Sequence, residues 1–214
     1  MSQVTTDSQP TDTQPTDTQP TGLRERIRNS WLGTLLVLAV TAALVMGGAY
    51  LVDRPDAAEL GIQPVALTGP GEGAPPKIGS PAQDFTATTV DGKEVSLSSY
   101  KGKAVWLTFG ASWCAACVAE GPDIQAAYEK HKAEGVEVLS IFISEDSATV
   151  RDYVGRVGFT FPHVADPETR IASAYRVNGI PAHFFIDRAG VLREMKTGGL
   201  SEETMDATLA AISK

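Results

Sequence analysis

Cysteine is nearly absent from this chain: there are 2 among 214 residues, Cys114 and Cys117. A disulfide-stapled scaffold spaces several bridges along a short secreted chain, so that class is excluded. A structural zinc site needs about four ligands. The 3 histidines, His131, His163 and His183, are scattered, and none lies at ligand spacing to the cysteines. A lone C-x-x-C with no second half points to redox use, and no metal or other cofactor is expected. A basic excess is also missing: 18 Lys and Arg stand against 26 Asp and Glu, a net charge of −8. The acid is spread along the chain. Nucleic acid is therefore excluded as a partner, because it needs a basic footprint.

Large apolar side chains are almost missing from residues 1–22, which repeat QPTDT from Gln9 and Gln14 and then QPT from Gln19. Such a stretch cannot offset its ordering entropy, so a disordered cytoplasmic tail is expected over residues 1–30. Charge is then absent from Trp31 to Val52. A helix over this stretch, at ~1.5 Å per residue, spans ~33 Å and matches a hydrocarbon core of ~30 Å. Trp31 and Tyr50 sit near its ends, where amphipathic rings favour the membrane interface. Arg24, Arg26 and Arg28 precede the span, and Asp53 with Arg54 follows it. The basic excess before it places the N-terminus in the cytoplasm and the rest of the chain outside. The expectation is a single-pass anchor in the cytoplasmic membrane over residues 31–52. The rival is a signal peptide cleaved after Gly47-Gly48-Ala49, but its apolar region normally runs only ~7–15 residues. No cysteine stands directly after the span, which argues against a lipid anchor. Residues 53–77 are rich in Pro, Gly and Ala and read as a flexible linker. Residues 78–214 suit one folded domain.

Within that domain, Asp84–Thr88 and Glu94–Leu97 flank Asp91-Gly92, a hairpin signal. Ala104–Gly110 (AVWLTFG) and Val136–Ile143 (VEVLSIFI) are apolar runs of the kind expected for strands buried on both faces. Helical character follows from Cys117 to about Ala133. Ser147–Val157 reads as a helix with Val150, Tyr153, Val154 and Val157 on one face. Phe161–Val164 is a short extended piece and Glu168–Tyr175 a further helix. Ala182–Ile186 and Val191–Lys196 are strands joined at Arg188-Ala189-Gly190. Ser201 caps the last helix, with Glu202 and Glu203 in its first turn. Strands alternating with helices predict an α/β sandwich with a parallel core and helices on both faces.

The chemistry lies in Trp113-Cys114-Ala115-Ala116-Cys117, after a buried strand and at the opening of a helix. A cysteine there faces unpaired backbone N–H groups and the positive end of the helix dipole, and both favour thiolate over thiol. The thiolate is the attacking species in disulfide exchange. Positions i and i+3 share a helix face, so Cys117 reaches back to Cys114. Cys114 is assigned as nucleophile and Cys117 as resolving thiol. An inert bridge is the competing reading, but closing so small a loop removes little unfolded-chain entropy. Pro181, from the residues alone, is either a cis proline or an ordinary strand-initial one.

The run TFGASWCAAC, Thr108 to Cys117, resembles the active-site strand and turn of the thioredoxin superfamily. Pro122, five residues beyond Cys117, matches that family's helix proline, and Gly179-Ile180-Pro181 before AHFFI matches its cis-proline loop. The membrane span, the hairpin DGKEVSLSSYKGK and the insert around Ser144–Tyr175 resemble the TlpA/ResA-like branch. The resemblance implies a thioredoxin-like three-layer sandwich with a mixed central sheet and an N-terminal β-hairpin. It implies an extracytoplasmic protein disulfide reductase, such as one serving cytochrome c maturation, with exported disulfide-bearing proteins as substrates and a membrane thiol as electron donor. It further implies that Pro181 is cis, and that Trp113, Ile180 and Pro181 bind substrate. Glu120, three after Cys117, resembles the branch's active-site glutamate, which tunes the thiols. Thr108 stands where cytosolic thioredoxins carry a buried aspartate. Ala115 and Ala116 contribute no charge and leave the potential open. Three other readings stand beside the reductase. One is a disulfide-forming oxidase. Another is a copper-site assembly factor in which His183 joins the two thiolates, which suit Cu(I); set against it, His183 reads as a satisfied strand histidine. The last is a peroxidase, whose Pro and Thr positions are held here by Leu107 and Ala111.

Overall fold

The computed structural model describes residues 31–52 and 61–214. The QPTDT repeat, the arginine cluster and residues 53–60 lie outside the described residues. Trp31–Val52 forms helix α1, 22 residues long. Its side chains are described at 31 and 33–47 and are almost all exposed, Trp31 at 78% and Leu44 at 71%. Among the described residues no helix is long and apolar enough to cross a membrane. The described side chains of α1 cover only part of the uncharged stretch. This helix belongs to a unit ending at Arg54, and the chain from Pro55 onward forms a second unit, considered by itself below.

The second unit is organised by one strand. β4 (Ala104–Gly110) is buried along almost its whole length because both of its faces are covered. Side chains alternate across a strand. Val105, Leu107 and Phe109 therefore enter one core cluster, with Leu139, Ile141, Phe184 and Cys114. Ala104 and Trp106 enter another on the opposite face, with Val138, Phe185, Ile124, Met205 and Leu209. β5 (Val136–Ile143) and β6 (His163–Asp166) extend the sheet in parallel on one side. β8 (Ala182–Ile186) and β9 (Leu192–Thr197) extend it antiparallel on the other. The order is β6-β5-β4-β8-β9, a mixed sheet. β2 (Thr86–Thr88) and β3 (Glu94–Ser96) form the hairpin, joined at Asp91-Gly92 with Gly92 at φ +88°. Fully buried Trp106 stacks on Phe185 with ring centroids 5.3 Å apart.

Four helices flank the sheet: α2 (Ala115–His131), α3 (Ser147–Val157), α4 (Arg170–Ala174) and α5 (Glu202–Ile212). Their starts are locally specified. Asp146 accepts from Thr149 N–H and Ser201 from Thr204 N–H, both N-cap bonds. α3 has the expected bounds and ends at Gly158 in the left-handed conformation, a C-terminal stop. α2 begins at Ala115, two residues before the expected start, because Cys114 is its cap. α4 is shorter than the Glu168–Tyr175 expected. Buried Asp166 accepts from Arg170 N–H and Ala172 N–H, so the helix starts where that carboxylate holds it. The piece expected at Phe161–Val164 is ordered two residues later, as β6.

Candidate active site

Cys114 and Cys117 are joined as a disulfide with Cα atoms 5.2 Å apart. Cys114 is the N-cap of α2, and its Sγ accepts the backbone N–H of Cys117 at 3.2 Å. The helix terminus thus aims one of its orphan donors at this sulfur. That is the local arrangement that stabilises a thiolate once the bond is reduced. The exposures are uneven: Cys114 is 0% exposed and Cys117 half-buried. Trp113 beside them is 52% exposed.

The Ile180–Pro181 peptide is cis. Immediately before it, β7 (Gly179–Ile180) pairs antiparallel with β1 (Gln63–Pro64), in register Gln63 to Ile180 and Pro64 to Gly179. Residues read from composition as linker thus lie along the edge beside the cysteines. Val65 N–H donates to Asn178 O at 3.1 Å. The next residues are tied by Thr68 N–H and Gly69 N–H to Thr169 Oγ1, at 2.8 and 3.2 Å. Gly61 adopts φ +65°, and a Cβ there would stand 3.0 Å from Ala116 Cβ, between the two cysteines. Gly179 is equally constrained, since a Cβ on it would meet Ile62 Cγ2 at 2.7 Å.

Beneath Cys117 lies a buried polar cluster. Glu120 is 6% exposed on α2. It shares a cavity of about 30 Å³ with Cys117, Thr108 and Ser140, enough for about one water. Burial pushes its carboxyl up to about 8, opposed by Leu200 N–H, which donates to Oε2 at 3.2 Å, and aided by Asp123. His183 pairs across the sheet with Thr108, which puts both on the α2 face of the sheet beside Trp106. Its Nδ1 lies 3.3 Å from both Trp106 Nε1 and Thr108 Oγ1, and its Nε2 is 3.5 Å from Glu120 Oε1. The ring is 0% exposed, and burial holds its proton affinity down, to about 3.

Of the two readings of His183, the structure places it as a buried strand histidine. Its Nδ1 is turned to Trp106 and Thr108 and its Nε2 to Glu120, so the ring is committed inside the sheet–helix interface. Among the described residues no group of three His, Cys, Asp or Glu side chains is placed to hold a metal ion. His131 is buried between Asp206 and Glu134. The peroxidase positions Leu107 and Ala111 are core side chains in the cluster that holds Cys114.

Glu145 escaped the sequence reading. It is buried and follows Ser144, which adopts φ +57° and turns the chain after β5. Its carboxylate accepts both the N–H of Ser112, at 2.8 Å, and the Ser112 hydroxyl. Ser112 lies two residues before Cys114, so Glu145 fixes the approach to the redox turn. The available signal was an acid just past the end of a buried strand that runs parallel to the cysteine-bearing strand.

An α/β sandwich with a C-x-x-C disulfide capping a helix beside a cis proline defines a thioredoxin-fold thiol–disulfide oxidoreductase. Residues 78–195 match the AhpC/TSA family, and the chain belongs to it. Over 135 residues it is 36% identical to the thiol-disulfide oxidoreductase ResA of Geobacillus kaustophilus, covering 63% of this chain and 78% of that protein. ResA of Bacillus subtilis is 33% identical over 124 residues, or 58% of this chain and 69% of that one. Among solved structures, a thiol:disulfide interchange protein of Chlorobium tepidum aligns with TM-score 0.59 and 28% identity, over 67% of this chain and all (100%) of that one. StoA of Bacillus subtilis aligns with TM-score 0.53 and 26% identity, over 61% and 98%.

Proposed function

We propose that this protein is an extracytoplasmic reductase that transfers electrons from a membrane thiol donor to disulfides in exported proteins, including those of cytochrome c maturation. Helix α1 is its single-pass anchor, and the tether is the part of residues 53–77 that precedes the docked strand β1. The uncharged stretch from Trp31 to Val52 and the preceding arginines support that placement. In the proposed reaction, the reduced Cys114 thiolate attacks one sulfur of the substrate disulfide. The other substrate sulfur leaves as a thiolate and takes a proton. Cys117, its proton passed to Glu120, then attacks Cys114 Sγ and releases the second substrate thiol. Two electrons pass to the substrate, and the disulfide described above is the product state of the enzyme. The substrate backbone lies antiparallel to Gly179–Ile180, replacing residues 61–65.

The observation that carries the direction is Glu120. A strongly oxidising couple is one whose reduced thiolate form is stabilised. A buried carboxyl beside Cys117 works against a thiolate there once it ionises. The reduced form is then less favoured, and the pair is a better electron donor. Equilibration with glutathione tests this: a potential below about −200 mV supports reduction, and one near −120 mV overturns it in favour of an oxidase.

A further inference from the structure

Trp106 dictates the chemistry of the His183 ring. An indole N–H can only donate, and Trp106 Nε1 faces His183 Nδ1 at 3.3 Å. Nδ1 must therefore present its lone pair, and the Thr108 hydroxyl at 3.3 Å addresses the same atom. In a neutral imidazole the ring proton then sits on Nε2. That atom is buried and meets no strict hydrogen-bond geometry, although the Gly198 backbone bears on the ring and raises its proton affinity. It lies 3.5 Å from Glu120 Oε1, longer than an ordinary N–H···O bond but close enough for its dipole to act in a dry interior. Protonating Nδ1 would set its N–H against that of Trp106, so the ring does not take up a second proton.

From this geometry we infer that His183 is a positioning residue for the thiol–disulfide reaction: a fixed N–H dipole, its tautomer set by Trp106, that stabilises the ionised form of Glu120 beside Cys117. The inference rests on the assignment of Glu120 as the proton partner of Cys117. The other groups around the carboxyl are known. Asp123 on α2 raises its proton affinity, and Leu200 N–H, just before α5, lowers it. Tyr153 of α3 and Cys117 line the shared cavity. At the His183 ring the Gly198 backbone favours protonation and Lys196 of β9 disfavours it.

The tautomer is read in the full-length parent protein by ring-¹⁵N NMR, where only 3 histidines contribute. A bare Nδ1 and a protonated Nε2 between pH 5 and 9 are expected, and a protonated Nδ1 overturns the proposal. The second reading is the carboxyl ¹³C titration of Glu120, identified by its loss in Glu120→Gln. In His183→Leu the midpoint moves up by about one pH unit, the scale of one lost charge-directed N–H. In His183→Gln, which keeps an amide N–H, it stays near the parent. An unmoved or lowered midpoint in His183→Leu overturns the proposal. If that variant does not fold, Trp106→Phe, which frees the tautomer, must raise the midpoint in the same direction. Thiol alkylation is followed separately. If it ignores Glu120→Gln while the carboxyl midpoint still responds to His183, the Glu120 assignment fails and the His183 dipole stands.

Discussion

Gln63 pairs with Ile180, so the backbone edge beside the cis proline is occupied by the chain's own residues. Pro64 has no N–H to offer, so this added strand is short and recruits no further strand beyond it. Cys114, in the same neighbourhood, is fully buried. Replacing residues 61–65 by a Gly/Ser stretch of equal length should expose the edge and the sulfur. Loss of one or two backbone hydrogen bonds, at ~0.5–1.5 kcal/mol each, corresponds to roughly tenfold faster iodoacetamide alkylation of reduced Cys114. Unchanged kinetics would mean that these residues do not limit access.

Cys117→Ala should hold a substrate protein on Cys114 as a stable mixed disulfide, visible on a non-reducing gel. Cys114→Ala should hold none. The reverse pattern would exchange the roles of nucleophile and resolving thiol.

Glu120→Gln removes the buried carboxyl beside Cys117. An ionised carboxylate opposes the thiolate, so its removal should move the alkylation pH–rate profile toward acid by about one unit. A superimposable profile would refute the role given to Glu120.

Three buried groups set how stability depends on pH. Glu120 is raised from 4.5 to about 8, so its contribution is full below pH 4.5 and is lost as pH rises through 8. His163 and His183 are lowered from 6.5, to about 4 and about 3, because burial disfavours their charged forms. Their contributions are full above pH 6.5 and are lost as pH falls toward those values. Between pH 4.5 and 6.5 two histidines outweigh one carboxyl, and between 6.5 and 8 the carboxyl acts alone. The thermal midpoint of the oxidised protein should therefore peak near pH 6.5. The alkaline decline to pH 8 is worth about 2 kcal/mol and is absent in Glu120→Gln.

Glu145→Ala should strand the Ser112 N–H, at a cost of about 1–3 kcal/mol in stability measured by urea unfolding. Its larger effect should fall on thiol reactivity, because the turn that presents Cys114 loses its outside support. Equal alkylation rates in parent and variant would reduce Glu145 to a stability role.

The redox pair, the central strands and α3 were legible because each is specified locally, whereas the cis state of Pro181 was implied only by the family resemblance. Cap residues, a period-2 or apolar run and a C-x-x-C after a strand carry their own signals. The strand at Gln63–Pro64 was not legible. Two residues rich in turn signal have no strand propensity, and they order only because Gly179–Ile180 offers a free edge. Glu145 was hidden for the same reason, since its partner Ser112 is brought near by the parallel pairing of β4 with β5.

By itself the amino-acid sequence determined that a helix would open at the cysteine pair after a buried strand, because those signals act within a few residues of chain; that Cys114 caps it, two residues ahead of the expected start, came with the structure. Only the tertiary structure decided that His183 would face Glu120, that Trp106 would fix its tautomer, and that residues 61–65 would lie against the cis-proline edge. Those relationships join positions far apart in the chain. They depend on strand register and burial, which no local pattern encodes.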